Sequence, residues 1–280
     1  MTFDILVTTF KKTKSEIIEL LTINNIFGNI YIGNQGAAED TEEVIINKNQ
    51  NIHIYNLTSV GVSKNRNFLL KKAKSDFVLF LDDDIKITNY DFPVEEFSLD
   101  KAYRFNLMSS NSKRPIKQIK KEGKKSFFDL KSFGAWGIFF PRVLLLEKNV
   151  LFNEAIGPGC KINHGEDSLF LKKFLMDNDI IQINRCNFTV SHTISTWQGE
   201  KRNINLELFS QGFVYGIMFE SKAKLFLYYY LLKNHKLFNS LPILKSFKIA
   251  KKGLVFFRKT NNKDLTNDYI ERYIVKEFGF

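Results

Sequence analysis

Two cysteines in 280 residues are too few for a disulfide framework, and Cys160 and Cys186 form no CxxC-type ligand pair. Both are expected to be reduced bystander thiols. No apolar run approaches the roughly 18 residues that a membrane span requires. The opening "MTFDILVTTF" has no basic n-region and no small-residue cleavage site, so it reads as a first strand and not as a signal peptide. A cytoplasmic chain is the expectation. No glycine follows that first run, where "VTTFKKTK" stands, which argues against a dinucleotide oxidoreductase and against a sugar-phosphate nucleotidyltransferase with its glycine-rich phosphate loop. Acidic residues are missing altogether between Ser221 and Lys263, where eleven Lys and Arg accumulate.

What is present is globular composition. With 44% hydrophobic and 25% charged residues, 280 residues suffice for one large domain plus an appendage. The first ninety residues alternate short apolar runs, "FDILVTT", "NIYIG", "NIHIYNL" and "DFVLFL", with helical patterns. "KSEIIELLTINN" is one helix with Ser15 placed to cap it, and "VSKNRNFLLKKAK" is another with Ser63 as its cap. Strands alternating with helices predict a mainly parallel sheet joined by right-handed crossovers, with ligands beyond the carboxyl ends of the strands. "VTTF", "GNQG", "VGVSKNRN" and "DDD" all stand at such ends and converge on one crevice fit for a nucleotide.

The triple aspartate asks for a cation. On an extended backbone Asp82 and Asp84 point to one side and Asp83 to the other, so two anions crowd together. Mg²⁺ or Mn²⁺ accepts such oxygen ligands; a solvated acidic turn is the plainer alternative. Glu166 and Asp167 open the helix "GEDSLFLKKFLMDN", whose Leu169, Phe170, Phe174 and Leu175 are expected to pack inward. A helix N-terminus keeps a carboxylate ionised, which suits a general base; capping alone is the alternative. In "SFGAWGIFFPR", Trp136 between Gly134 and Gly137 forms either an acceptor floor or a core strand with a bend, ahead of the helix-like "VLLLEKN". "SKRPIKQIKKEGKKS" reads as a solvated basic loop that could order over nucleotide. "RCNFTV" reads as a late strand leading to His192, while His53, His164 and His235 have no comparable context.

"VTTF", "GVSKNRNFLLKKAKSDFVLFLDDDI", "FNEAIGPGCKINHGEDSLFLKKFL" and "VSHTISTW", in this order, resemble the family 2 inverting glycosyltransferases of the GT-A fold over roughly residues 1–200. "GVSKNRN" is similar to the family's Gly-x-x-x-Ala-Arg-Asn element, "DDD" to its Asp-x-Asp motif and "GEDSLFL" to its Glu-Asp motif. The resemblance implies a GT-A (Rossmann-like) α/β fold, a mixed, mainly parallel sheet flanked by helices. It further implies that Asp82 and Asp83 meet the nucleotide-sugar, that Asp84 and Asp82 hold Mn²⁺ or Mg²⁺ with His192 completing the set, and that Thr8, Phe10 and Arg66 touch the nucleotide. Asp167 is then the base and Glu166 its neighbour toward the acceptor, with Trp136 and Gly137 as candidate acceptor contacts. One departure follows the second strand: where the family commonly has an acidic residue for the base, this chain has Gly33 and Asn34. Asn34 offers a donor and an acceptor to a pyrimidine edge, and Glu39 or Asp40 are alternatives for the acidic role. The implied donor is a nucleotide-diphosphate sugar, UDP-linked by preference.

The carboxy-terminal third, "AKLFLYYYLLKNHKLFNSLPILKSFKIAKKGLVFFRK", interleaves aromatic and aliphatic residues with lysines, the makeup of helices that lie on anionic lipid. A subunit interface or packing on the catalytic domain is the competing reading, so an oligomer stays open. The chain is thus read as a GT-A catalytic domain over 1–205, with a nucleotide-sugar half at about 1–90 and an acceptor half at about 91–205, and a basic helical extension over 206–280. A glycan or lipid-linked acceptor at the inner face of the cell membrane, in bacterial capsule, lipopolysaccharide or other surface polysaccharide synthesis, is what the resemblance implies. The rivals are a sugar-phosphate nucleotidyltransferase and a basic nucleic-acid-binding protein. No nucleic-acid module is recognised, and nucleic acid is not an expected partner.

Overall fold

A computed structural model describes residues 1–24, 29–47, 50–83, 85, 92–109, 118–130, 133–190, 203–238, 241–260 and 267–278. The chain forms two compact units, Met1–Phe152 with Phe170–Ser195, and Asn153–Leu169 with Thr196–Phe280. The segment carrying Glu166 and Asp167 is thereby grouped with the C-terminal helices.

The first unit is built on one mixed sheet. Its strands are β1 (Phe3–Phe10), β2 (Asn29–Gln35), β3 (Thr41–Asn47), β4 (Gln50–Leu57), β5 (Phe77–Asp82), β6 (Lys101–Ser109), β7 (Gly123–Lys125), β8 (Ile138–Pro141) and β9 (Asp179–Val190), in the order β3-β4-β2-β1-β5-β8-β6-β9-β7. The run β4-β2-β1-β5 is parallel throughout, as the alternating strand and helix patterns predict. Beyond it β8 runs antiparallel between β5 and β6, which is what makes the sheet mixed. Alternate residues feed opposite faces: Ile5, Val7, Leu79 and Leu81 enter one core, Leu6, Val78 and Phe80 the other. Burial on both faces explains why "FVLFL" is continuously apolar.

Three local expectations change. The helix α1 (Lys14–Asn24) is capped by Thr13 and not Ser15. The Glu16 amide donates to Thr13 Oγ1 at 3.3 Å and the Thr13 amide donates to the Glu16 carboxylate at 2.7 Å, a reciprocal capping box. These bonds hold the Glu16 carboxyl below its ordinary value, the Thr13 amide contributing most. The helix α2 (Val62–Lys72) begins after Gly61 at φ 135°, so Ser63 lies buried inside the helix and is no cap. Part of the basic tract is strand and not loop: β7 pairs antiparallel with β9, and buried Lys125 donates through Nζ to the Glu122 carbonyl at 3.2 Å. The short helices α3 (Phe127–Leu130) and α4 (Arg142–Glu147) flank β8, α4 matching "VLLLEKN". In α5 (Glu166–Phe174) the residues Leu169, Phe170 and Phe174 are buried as expected, and Phe170 stacks on Phe152 with centroids 4.0 Å apart.

The second unit holds α6 (Ile204–Phe219), α7 (Ala223–Lys233), α8 (Ile243–Thr260) and α9 (Asn267–Phe278). Small residues let α6 and α8 meet backbone to backbone. A Cβ on Gly212 would lie 1.7 Å from the Ala250 carbonyl oxygen, and one on Gly253 would lie 1.9 Å from that of Phe209. No other side chain permits this approach. Around the crossing, Phe209, Phe213, Phe256 and Tyr273 interlock, with Phe256 and Tyr273 stacked at 4.0 Å.

Candidate functional site

Register brings the first group together. In the parallel β1–β5 pair, Thr8 lies opposite Asp82, and β2 sets Asn34 opposite Thr9. Arg66 reaches this point from α2 with its side chain only 2% accessible, and its Nη2 donates to Asp82 Oδ1 at 2.8 Å. The guanidinium also lies over the Phe152 ring at 5.1 Å. Thr8 Oγ1 donates to the same Asp82 oxygen at 3.5 Å. A buried cation beside a half-exposed carboxylate fixes where that carboxylate points, because Arg66 desolvated alone would be costly.

Asp83 takes different partners from Asp82, on the side of Thr9 and not of Thr8. The strand ends at Asp82 and Asp83 sits in the turn, where it accepts from Thr9 Oγ1 at 2.6 Å and pairs with Lys12 Nζ at 3.6 Å. Asp84 and His192 lie outside the described residues. Phe10 at the end of β1 is exposed and carries the Lys11 ammonium over its ring at 5.3 Å. Asn34 is buried and its amide is committed to the protein. Its Oδ1 accepts from the Lys12 amide at 3.0 Å, and its Nδ2 donates to the Lys12 carbonyl and to Asn56 Oδ1, both at 2.8 Å. Asn34 therefore straps the segment after β1 to the sheet, and both of its amide hydrogens are already used. Asp40 caps the Thr58 amide at 2.6 Å, a bond that lowers its carboxyl pKa.

Gly33 has a packing reason. Asn65 of α2 donates through Nδ2 to the Gly33 carbonyl at 2.7 Å, and a Cβ at position 33 would meet Asn65 Oδ1 at 1.8 Å. Asn65 stands where the Gly-x-x-x-Ala-Arg-Asn element has alanine, so a larger residue on the helix and a smaller one on the strand compensate. Asn67, the last residue of that element, holds Phe152 by its amide in both directions at 2.9 Å. Thr9, Lys12 and Asn65 were not singled out by sequence reasoning. Their signal was present only as contiguity with "VTTF" and "GVSKNRN".

Trp136 is half-buried and packs on the first core cluster, while Gly137 takes φ 77° in the turn that starts β8. A bend ahead of β8 is one of the two forms that "SFGAWGIFFPR" allows.

The acid pair belongs to the second unit. Glu166 is buried and Asp167 half-buried at the first turn of α5. Gly165 before them, at φ 99°, accepts from the Leu169 amide at 3.0 Å, and a Cβ there would strike Val214 of α6 at 2.7 Å. Backbone conformation and space both require glycine in "GED". Cys160 lies near enough to feel Glu166: burial first, then the charges of Glu166 and Glu154, push its thiol up to about 11. The thiol stays protonated at neutral pH, as a bystander should. His164, dismissed on sequence, contacts Gln211 through Nε2 at 3.2 Å and Asn163 through Nδ1 at 3.0 Å. A cavity of about 250 Å³ is lined by His164, Glu207, Gln211, Tyr230 and Phe238.

A divalent cation suits the donor chemistry at the β5 end, since Asp82 and Asp83 offer hard carboxylate oxygens. Among the described residues no three His, Cys, Asp or Glu gather into a metal cage. Also among them, no helix is long and apolar enough to cross a membrane.

The description "Glycosyl transferase family 2" matches residues 5–94, the segment holding Thr8, Arg66, Asp82 and Asp83. Among solved structures, S. aureus TarS 1–349 in complex with UDP-GlcNAc is similar at TM-score 0.57 and 16% identity, over 82% of this chain and 72% of that one. TarS 1–349 itself is similar at TM-score 0.53 and 15% identity, over 98% and 78%. GalNAc-T7 with UDP, GalNAc and Mn²⁺ is similar at TM-score 0.50 and 10% identity, over 99% and 58%. No curated protein matches. With the glycosyl transferase family 2 match over residues 5–94 lying on the strand-end cluster and the fold similar to that of TarS, the chain carries a family 2 glycosyltransferase segment within a GT-A-like α/β fold.

Proposed function

We propose that the chain transfers a sugar, with inversion and with help from a divalent metal, from a UDP-sugar to a hydroxyl of a glycan or lipid-linked acceptor in bacterial surface polysaccharide synthesis, at the inner face of the cell membrane. The observation that carries the donor half of this reading is the buried Arg66 fixed on Asp82 at 2.8 Å within the family-matched segment. UDP-GlcNAc bound to TarS and UDP bound to both TarS and GalNAc-T7 support a uridine donor. In this reading residues 1–205 are the catalytic domain and 206–280 the basic extension.

Roles follow from chemistry. Asp82, held by Arg66 and Thr8, receives the nucleotide-sugar, with Asp83 beside it; Phe10, exposed at the end of β1, offers a face for the nucleoside. Asn34 acts through the Lys12 segment it straps. Mn²⁺ or Mg²⁺ would be held by Asp82 and Asp84, with His192, and would take up the charge growing on the departing diphosphate. Asp167, at the N-terminal turn of α5, takes the proton of the acceptor hydroxyl as that hydroxyl's oxygen bonds to the anomeric carbon. The bond from that carbon to the diphosphate oxygen breaks on the opposite side, and its electron pair leaves with the diphosphate. Glu166 and Trp136 with Gly137 are assigned to the acceptor side.

Thermal-shift binding of UDP, GDP, CDP and dTDP, each with Mn²⁺ and with EDTA, tests the donor half. Stabilisation by UDP that EDTA abolishes is expected. Equal stabilisation by every nucleotide, or by none, removes the uridine assignment, and stabilisation that survives EDTA removes the metal role of the aspartates.

A further inference from the structure

The helix α7 is apolar on both sides. Ala223, Leu227 and Leu231 are fully buried in the core of the helical unit. Its outer side presents Leu225 at 70%, Tyr228 at 47%, Tyr229 at 60% and Leu232 at 47% exposure, four large residues at i, i+3, i+4 and i+7. At about 100° per residue these four form one continuous band on the outer half of the helix. The same construction sets the exposed lysines Lys224 and Lys233 on the two edges of that band, about 180° apart. The band continues onto α8, where Tyr228 meets Phe247 edge-on at 5.6 Å and Leu244 is 72% exposed among the exposed lysines Lys245 and Lys248.

We infer that this lysine-edged face of α7 and the start of α8 is a docking surface for an anionic lipid bilayer, with Leu225, Tyr229, Leu232 and Leu244 entering the headgroup and acyl boundary. Lysines at the rim reach lipid phosphates while their stems cover apolar surface, and tyrosines suit a boundary that is greasy on one side and wet on the other. Charge decides between occupants. The tract from Ser221 to Lys263 has eleven positive and no negative residues, so a second copy of this face would be repelled. Nucleic acid would answer the lysines and leave the leucines uncovered. Anionic lipid satisfies both. Of the apolar residues that made the whole tract look membrane-like in sequence, Leu227, Leu231, Phe238, Ala250, Leu254 and Phe256 are spent on the unit's own core.

The inference is independent of the sugar chemistry, and its test reads binding, not turnover. The full chain is sedimented with vesicles of phosphatidylcholine alone and of phosphatidylcholine with phosphatidylglycerol at about 3:1, at low and high salt. Binding to the anionic vesicles, weakened by salt, is expected, and Leu225→Ser with Leu232→Ser is expected to lower the partition constant by about tenfold or more. Both leucines are exposed, so an unchanged melting temperature of the double variant certifies its fold. Retained binding in the double variant, binding to neither vesicle, or concentration-dependent self-association that the double variant abolishes would overturn the inference, the last in favour of a second copy.

Discussion

In the sheet unit the polar groups at the strand ends are matched with one another: Asp82 with Arg66 and Thr8, Asp83 with Thr9 and Lys12, Asn34 with Asn56 and the Lys12 backbone. In the helical unit the outer face of α7 instead presents apolar side chains to solvent, in a tract, 221–263, that itself contains no acidic residue. The difference teaches what each surface is prepared to meet. A crevice of oriented, mutually restrained charges suits a small charged ligand that must be held in one geometry, because little reorganisation is then needed on binding. A band of leucine and tyrosine edged by lysine suits an extended surface where orientation matters less than area and charge sign.

The sharpest way to break that comparison is to separate binding from chemistry across the two units. Asp167→Asn should lower turnover by about 10²–10⁴-fold while leaving UDP-sugar affinity within a factor of about two, as expected of a general base. Asp82→Asn should instead weaken donor binding, since it removes the carboxylate that Arg66 orients. Titration calorimetry with the donor and a product assay read both; full turnover in the Asp167 variant would remove the base assignment.

A second test asks whether the sheet unit's restraint lies in packing as well as in charge. Gly33→Ala forces a Cβ against Asn65, whose amide oxygen stands 1.8 Å from that position, and should cost about 2 kcal/mol of stability. Asn65→Ala in the same chain should recover most of it, because the alanine of the family element then faces the new methyl. Urea unfolding of the four proteins in the cycle gives the coupling, and additive losses would show that Gly33 and Asn65 do not compensate.

The smallest effect reads the charge of Glu166 through the Cys160 thiol and not through turnover. Burial and the charges of Glu166 and Glu154 push the Cys160 thiol up to about 11. In a Cys186→Ser background, the pH profile of alkylation should therefore be displaced upward from the ordinary thiol range. Glu166→Gln should bring it part of the way back, since one anion disfavouring the thiolate is gone. A profile indifferent to Glu166 would mean that burial alone sets it.

Period and punctuation made much of this legible in the linear chain. Four apolar runs separated by amphipathic segments determined the parallel strands β1, β2, β4 and β5, because burial on both faces favours apolar side chains along most of each strand. "VTTF", "GVSKNRN" and the start of "DDD" marked the polar cluster at the strand ends of the sheet unit, since each is a local interruption of that pattern by polar residues or glycine. Other features depend on partners distant in sequence and had no local signal. The cap of α1 is the exception, since Thr13-x-x-Glu16 is itself a local capping-box pattern and closes the helix start in place of Ser15. Lys125 lies in a strand because β9 offers a ladder to the basic tract. Asn34 turns inward because the Lys12 backbone and Asn56 use its amide. The same holds for the C-terminal tract: its amino acids set the charge and the supply of apolar surface, while only tertiary packing decided which leucines line the core and which four residues of α7 stand outside. A helix with apolar residues all round has no preferred face until a neighbour, here α6 and α8, covers one side of it.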